Sequence, residues 1–188
     1  MSLLCATHSG PFHADDVLAW ALLQVYHCPD GTLVRTRDAK VHREADIVFD
    51  VGGSYDPDQG RFDHHQQSYQ GPLSSAGMIL DWLEACGRVD AEVATTLREE
   101  LVDYVDAVDN GRRVPDRHVP CFARIVEAYT QGPQTLEAFD EAFFAAADVA
   151  RGLVTGIESG VLQVRASKAA VLDAMADAAF ETPRRSLR

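Results

Sequence analysis

Basic residues are scarce in this sequence, and lysine is almost absent. The 188 residues include 17 lysines and arginines against 29 aspartates and glutamates, giving a formal net charge of -12. Only Lys40 and Lys168 are lysines. Affinity for the phosphate backbone of long nucleic acids depends on clustered basic side chains. The composition therefore excludes a general nucleic-acid coat, and any nucleic-acid substrate is expected to be short or bound by its end.

Long apolar runs and a dense set of cysteines are also lacking. No run approaches the roughly 20 apolar residues that span a bilayer, and the first residues do not have the pattern of a secretory signal. The four cysteines, at positions 5, 28, 86 and 121, contain no C-x-x-C pair and are too few for a disulfide scaffold. We therefore expect a cytoplasmic protein with reduced thiols and no membrane partner. The 46% of hydrophobic residues indicates a globular chain.

Strand patterns are confined to the first third of the chain. Short apolar runs bounded by turn residues predict strands over 3–7, 32–37 and 47–51 and a hairpin around Tyr55 and 61–63. Between the first two strands, helical spacing of apolar residues predicts a helix over 16–26, with Asp15 or Asp16 as its N-cap. Alternating strands and helices indicate an α/β fold with a mainly parallel sheet and helices on both faces.

Helical patterns dominate the rest of the sequence. They predict a helix that begins at Ser74 or Ser75 and ends near 87, followed by helices over 91–108 and 121–129. Residues 135–177 are also helix-prone, with an expected break near Gly152, Gly156 or Gly160, and residues 181–188 are expected to be frayed. We divide the chain into an α/β domain over 1–134 and a helical C-terminal arm over 135–188.

Histidines and aspartates follow the predicted strands with unusual consistency. Because ligands bind at the carboxyl ends of parallel strands, we expect these side chains to converge. Mixed imidazole and carboxylate ligands suit divalent transition ions, and their number suggests two ions. Each residue also has a simpler explanation. A histidine in a loop can be merely solvated, and an aspartate can lie on the solvent-exposed face of an amphipathic helix, which is the explanation that we prefer for Asp103. The residues are His8, His13, Asp15 and Asp16, then Asp50, then Asp63, His64 and His65, and finally Asp103, Asp106 and Asp109.

Five segments resemble the melanocyte-proliferating-gene (Myg) family, a branch of the DHH phosphoesterases related to RecJ exonucleases and manganese-dependent pyrophosphatases. The segments are THSGPFHADD, DIVFDVGG, RFDHHQ, SSAG and VDAVDNG, which occur in this order within residues 4–111. Agreement of five segments in sequence and order is a specific signal. The resemblance implies the DHH-type α/β fold for this part of the chain.

The resemblance also implies a ligand set for two divalent ions, with Mn²⁺ preferred and Mg²⁺, Co²⁺ or Zn²⁺ as alternatives. His8 and His13 would bind one ion, Asp15 and His64 the other, and Asp50 would bridge both. The fourth carboxylate would be Asp109 or Asp106. The implied catalytic residues are Asp50, His64 and His65, and His65 would face the substrate phosphate or act beside the ligands. Apart from the resemblance, Ser74 and Ser75 begin a helix whose N–H groups suit a phosphate, with an ordinary N-cap as the simpler explanation. Arg112 and Arg113 are the preferred phosphate contacts among five arginines, at 35, 37, 112, 113 and 117, most of which we expect on the solvated surface.

The function implied by the resemblance is two-metal hydrolysis of a phosphodiester, such as a short oligonucleotide or an RNA 3′ end. A hydroxide bridging the two ions would attack phosphorus. Two alternatives remain open: a small-molecule phosphatase or pyrophosphatase, and a metal-stabilised binding module without turnover. Members of the wider superfamily have a second, C-terminal lobe, which residues 178–188 are too few to form. We therefore expect one of three cases: a minimal family member, a site closed in a homodimer, or a truncated form.

Overall fold

The chain folds as an α/β structure built on a five-stranded sheet, as the sequence predicts. The computed structural model describes residues 2–116 and 118–181, with side chains described as far as residue 177. The strands are β1 (Leu4–Thr7), β2 (Thr32–Arg35), β3 (Ile47–Phe49), β4 (Tyr55–Asp56) and β5 (Arg61–Phe62). The helices are α1 (Ala14–Tyr26), α2 (Ala39–Glu44), α3 (Ser75–Ala85), α4 (Ala91–Leu97), α5 (Asp103–Asp109), α6 (Phe122–Thr130) and α7 (Leu136–Glu181).

The sheet has the strand order β2-β1-β3-β5-β4, and its four neighbouring strands β2, β1, β3 and β5 are parallel. Strand β4 is antiparallel to β5, which confirms the predicted hairpin. Cys5 of β1 pairs with Leu33 of β2 on one side and with Ile47 of β3 on the other. This register places the carboxyl ends of β1, β3 and β5 at one edge of the sheet.

Both faces of the sheet are covered, but unequally. Successive strand residues point to opposite faces, so Cys5, Ile47 and Phe49 join the main hydrophobic core with α1 and α3. Ala6 and Val48 face the other way and form a smaller cluster. Val41 of the short helix α2, which the sequence patterns do not predict, packs on that cluster.

Helix α1 begins two residues earlier than predicted, and its N-cap residue is His13. Asp15 and Asp16, which we expected as caps, lie in the first helical turn and are fully buried. Asp16 accepts a hydrogen bond from the backbone N–H of His13 at 2.9 Å, as the acidic residue of a capping box does. The prediction of the cap was therefore wrong by two or three residues, and both carboxylates belong to the first turn.

Helix α7 is continuous over its 46 residues, so the predicted break near its glycines is wrong. A glycine costs about 1 kcal/mol in a helix interior, and packing against α1, α4 and α6 offsets this cost. Phe143, Ala150 and Val154 are buried on that side, whereas the side chains of residues 162–177 are exposed. Residues 182–188, expected to be frayed, lie outside the described residues.

The predicted helix over 91–108 is a single helical stretch, with a π-helical turn (Arg98–Val102) between α4 and α5. Its end at Asp109 is followed by Gly111 in the left-handed conformation, φ 66°. In the described part of the chain, no helix is long and apolar enough to cross a membrane.

Candidate metal centre

Three strand ends and two helix ends meet at the carboxyl edge of the sheet. His8 follows β1, Asp50 follows β3, and the segment 63–65 follows β5. The N-terminus of α1 adds Asp15 and Asp16, and the C-terminus of α5 adds Asp109. The predicted convergence of the strand-end residues therefore occurs, as the parallel register requires.

One group of ligating atoms surrounds His8. Its Nε2 lies 3.1 Å from Asp50 Oδ2 and 3.3 Å from Asp16 Oδ2. All three side chains are buried, and their ligand atoms lie within 4.8 Å of one another, close enough to hold one cation. Asp16 was not among the predicted ligands.

A second group surrounds His64. Its Nε2 lies 3.1 Å from Asp109 Oδ2, 3.3 Å from Asp50 Oδ1 and 3.7 Å from Asp15 Oδ2. The exposed side chain of His13 is within the same ligand distance of Asp15 and Asp109, whereas the resemblance implied that it shares an ion with His8. Since Oδ2 of Asp50 faces the first group and Oδ1 the second, Asp50 stands between the two.

Asp50 has a backbone conformation that few residues other than glycine adopt. Its φ is 55°, and it is the one described non-glycine residue with a positive φ. Such a conformation costs of order 1–3 kcal/mol and is found mainly where surrounding structure enforces it, often at functional sites. The turn at the end of β3 directs the carboxylate into the centre, where Ser75 Oγ donates to Oδ1 at 3.4 Å.

The electrostatics of the centre reflect several acids buried together. Burial lowers the pKa of His8, but the adjacent carboxylates of Asp16 and Asp50 outweigh it and raise that pKa to about 10. Burial also lowers the pKa of His64, and the neighbouring Asp109 and Asp50 raise it to about 10. Burial raises the pKa of Asp15 well above its usual value, and the charges of Asp50 and Asp109 add to this rise. Burial alone would raise the pKa of Asp50, but His64 and His8 hold it below its usual range. The centre therefore favours added positive charge.

The donor set fits divalent cations. Both carboxylate oxygens of Asp15, Oδ2 of Asp16 and Nε2 of His64 are buried without a hydrogen-bond partner among the described residues. Buried polar atoms without partners are rare in native proteins and call for an explanation such as a bound ion. Imidazole nitrogens combined with carboxylates are ligands typical of Mn²⁺, Zn²⁺ and similar ions.

His65 and Asp63 form a pair beside the centre. Asp63 Oδ1 lies 2.8 Å from His65 Nδ1, and its Oδ2 accepts from the backbone N–H of Gly53 at 2.6 Å. Nδ1 of His65 is also 3.5 Å from Asp50 Oδ1, and the imidazole side chain is 60% exposed. Asp63 thus fixes the ring of His65, which we expected to face a substrate phosphate.

Asp106 faces the N-terminus of α3, away from the two groups described above. Its Oδ1 accepts from Ser74 Oγ at 2.6 Å, from Ser74 N at 3.0 Å and from Gly77 N at 3.2 Å. Burial raises the pKa of Asp106 to about 6 against the lowering effect of these donors. Ser74 is fully buried, so its two donors serve Asp106. Of the two candidates for the fourth carboxylate, the structure brings Asp109 to the centre.

The arginines that we expected to contact substrate are directed elsewhere. Arg112 donates to the carbonyl oxygen of Pro72 at 2.5 Å, and the guanidinium carbon of Arg113 lies 4.5 Å from the Tyr104 ring centroid. Arg37 instead lines a cavity of about 390 Å³ over the centre, which we call the polar cavity. Its lining also includes His8, His13, Asp50, Asp63 and His65.

The ligand set implied by the resemblance leaves out Asp16, although Asp16 is among the residues expected to converge, and Arg37 was expected on the solvated surface. Adjacent aspartates on a helix point about 100° apart, which could have indicated that Asp15 and Asp16 serve different groups. The sequence around Arg37 has no comparable feature that indicates a role in the site. An arginine that follows an edge strand is usually a solvent-exposed surface residue.

Comparison with known proteins decides the family. Residues 4–185 match MYG1_exonuc, described as "Uncharacterised protein family (UPF0160)". The chain belongs to this family. The MYG1 protein of Chlamydia trachomatis is 41% identical over 140 residues, which are 74% of this chain and 48% of that protein. The MYG1 exonuclease of Homo sapiens is 42% identical over 130 residues, which are 56% of this chain and 35% of that protein.

The chain therefore spans about half or less of the MYG1 relatives it matches. The MYG1 protein of Chlamydia muridarum gives the same picture, with 41% identity over 153 residues covering 52% of that protein. No solved structure matches the chain significantly. The Myg resemblance is confirmed, and the wider relationship to DHH phosphoesterases stays a prediction.

Proposed function

We propose that this chain is a metal-dependent phosphoesterase that hydrolyses phosphodiester bonds at the ends of short nucleic acids. The observation that carries the proposal is the position of Asp50, whose two carboxylate oxygens face two separate groups of ligands, at 3.1 Å from His8 and 3.3 Å from His64. A carboxylate in this position suits a bridge between two cations.

The proposed ligands fall into two sets that share Asp50. His8 and Asp16 would hold one ion, and Asp15, His64 and Asp109 the other, with His13 at the exposed side of the second set. Two divalent ions held in this way would lower the pKa of a water, orient it for in-line attack and neutralise charge on the phosphoryl oxygens. We propose Mn²⁺ as the ion, with Mg²⁺, Co²⁺ or Zn²⁺ as alternatives.

The other residues of the centre would orient and receive the substrate. Asp63 holds the imidazole of His65 toward Asp50, as carboxylates commonly orient functional histidines. Arg37 lines the polar cavity beside His65 and supplies a guanidinium, a group whose geometry matches phosphate oxygens. These two side chains would bind the phosphate that undergoes attack.

Two further observations support a nucleic-acid end as the substrate. The mammalian relatives in human and cattle are named MYG1 exonucleases. The net charge of -12 opposes binding along a long polyanion, so contact through the ions at a terminal phosphodiester is favoured.

The test is hydrolysis of a dinucleotide and of a short RNA oligomer with Mn²⁺, comparing the wild type with Asp50→Ala. Asp58→Ala is a matched control because Asp58 is exposed in the turn between β4 and β5. We expect Asp50→Ala to lose at least a hundredfold in rate and Asp58→Ala to keep wild-type rates. Equal rates for wild type and Asp50→Ala would overturn the proposal.

A further inference from the structure

A second cavity adjoins the metal centre, and Arg37 is not part of its lining. It has a volume of about 470 Å³ and lies between the start of α1, the end of α5 and helix α6. Phe12, Ala14, Val105, Val108 and Ala123 form its apolar wall, and we call it the apolar cavity. Its volume is within the range of roughly 300–1,000 Å³ that is typical of small-molecule sites.

The apolar cavity and the polar cavity meet at the proposed ligands. Pro11 and His13 line both of them. Asp109, which lies 3.1 Å from His64, lines the apolar cavity, and Asp50 lines the polar one. A phosphate at the centre would therefore adjoin both cavities.

The two cavities differ in charge, and this difference orients a substrate. Each cavity is lined by two carboxylates, Asp50 and Asp63 in the polar cavity and Asp109 and Glu127 in the apolar one. The polar cavity adds Arg37 and three histidines, whereas the described lining of the apolar cavity has one histidine and no lysine or arginine. A further phosphate group would therefore be bound less well in the apolar cavity than in the polar one. An uncharged ring with apolar faces and polar edges would be accepted, because the faces can contact the wall.

We propose that the apolar cavity is the subsite for the base of the terminal nucleotide, whose sugar is joined to the scissile phosphate. This inference rests on the proposed function. The metal centre would bind only the phosphate, and the apolar cavity would bind the base. Glu127 is an exposed residue of the lining whose Oε2 accepts from Arg124 Nη1 at 2.9 Å. Its other carboxylate oxygen can accept a hydrogen bond from the amino or imino group of a base. The apolar wall would hold the ring by contact and exclusion of water.

The test has two parts: protein variants in which the cavity is filled, and a substrate analogue from which the base is removed. Ala123→Phe and Thr130→Phe each place a ring in the cavity from a different residue of its lining, so a folding defect in one variant does not decide the test. Ile125→Phe is the matched control, since Ile125 lies on the same helix, is 38% exposed and is not part of the lining. The substrates are a dinucleotide and its analogue in which the terminal base is replaced by hydrogen, both with Mn²⁺.

We expect removal of the base to raise the wild-type KM about tenfold. Ala123→Phe and Thr130→Phe should raise the KM for the dinucleotide by a similar factor and leave the abasic analogue unchanged. Ile125→Phe should behave as the wild type. Equal KM values for the two substrates in the wild type, or an equal KM of the filled variants and Ile125→Phe, would overturn the subsite while leaving the proposed function intact.

A binding measurement separates the subsite from hydrolysis. Calorimetric titration with a nucleoside monophosphate and with ribose 5-phosphate, both with Mn²⁺, needs no turnover. We expect the nucleotide to bind the wild type about tenfold more tightly than the sugar phosphate, and this preference to vanish in the filled variants alone. If the chain hydrolyses neither substrate, the proposed function fails, and the same preference in binding would still support the subsite. Equal binding of both ligands would overturn the subsite.

Discussion

The close contact between Gly77 and Asp106 makes Gly77→Ala the sharpest test of how α3 is anchored beside the metal centre. A Cβ atom on Gly77 would lie 2.1 Å from Asp106 Oδ2 and 2.8 Å from its Cγ. The carboxylate cannot yield freely, because its Oδ1 holds three donors from Ser74 and Gly77. The substitution must therefore displace Asp106 or the first turn of α3.

The magnitude follows from the bonds at risk. Hydrogen bonds to charged groups contribute about 1.5–3 kcal/mol each, and displacing Asp106 would break or lengthen at least two of the three. The higher helix propensity of alanine stabilises a helix interior by about 1 kcal/mol relative to glycine, which offsets part of this loss. We expect Gly77→Ala to lower the free energy of unfolding by about 2–4 kcal/mol, measured by urea denaturation of the metal-free chain.

A second glycine and a second background provide the controls. Gly152 lies within α7, where an added Cβ meets no atom within 4 Å, so Gly152→Ala should raise stability by about 0.5–1 kcal/mol. In an Asp106→Ala background the clash is gone, and Gly77→Ala should then be neutral or stabilising. A Gly77→Ala chain as stable as the wild type, or the same loss in both backgrounds, would refute the reasoning.

Three further predictions concern charge. The pKa of Asp106 is about 6 in the folded chain, above the ordinary 3.8. Between these two pH values the folded chain binds more protons than the unfolded chain, which stabilises it at low pH. This stabilisation is lost as the pH rises from about 4 to 7. Relative to Asp106→Asn, the wild type should lose up to ~3 kcal/mol over that range in urea titrations with a chelator, and parallel curves would contradict this. Arg35 donates to Asp140 and to the carbonyl of Gly10. Lysine cannot replace this fork, so Arg35→Lys should lower the free energy of unfolding by about 2 kcal/mol, and an unchanged midpoint in urea would contradict it. Arg37→Ala should leave that midpoint unchanged because Arg37 is exposed, but raise the KM for a dinucleotide about tenfold, and an unchanged KM would remove Arg37 from the phosphate site.

The sequence predicts those parts of the fold that depend on local patterns and parallel pairing. Buried runs such as 47–51, bounded by turn residues, identify the strands, and parallel register then requires His8 and Asp50 to meet. The break predicted at the glycines of α7 is wrong because tertiary packing outweighs local helix propensity. Phe143 and Ala150 are buried against the rest of the fold and stabilise a helix that propensity alone would interrupt.

The site was predictable in its residue types and less so in its partnerships. The spacing of Asp103, Asp106 and Asp109 on α5 does not reveal that Asp106 faces the N–H groups of α3, since this depends on the crossing of two helices distant in sequence. The position of Arg37 in the polar cavity likewise depends on how the chain leaves β2. Local sequence patterns leave such residues equivalent, and only the tertiary structure determines which of them contacts the metal centre.

The most direct test of the central claim is anomalous diffraction from crystals of this chain grown with Mn²⁺. The account predicts two manganese peaks roughly 3.5–4 Å apart, both in contact with the carboxylate of Asp50, one beside His8 and the other beside His64. A single peak, or peaks that do not contact Asp50, would contradict the two-ion centre.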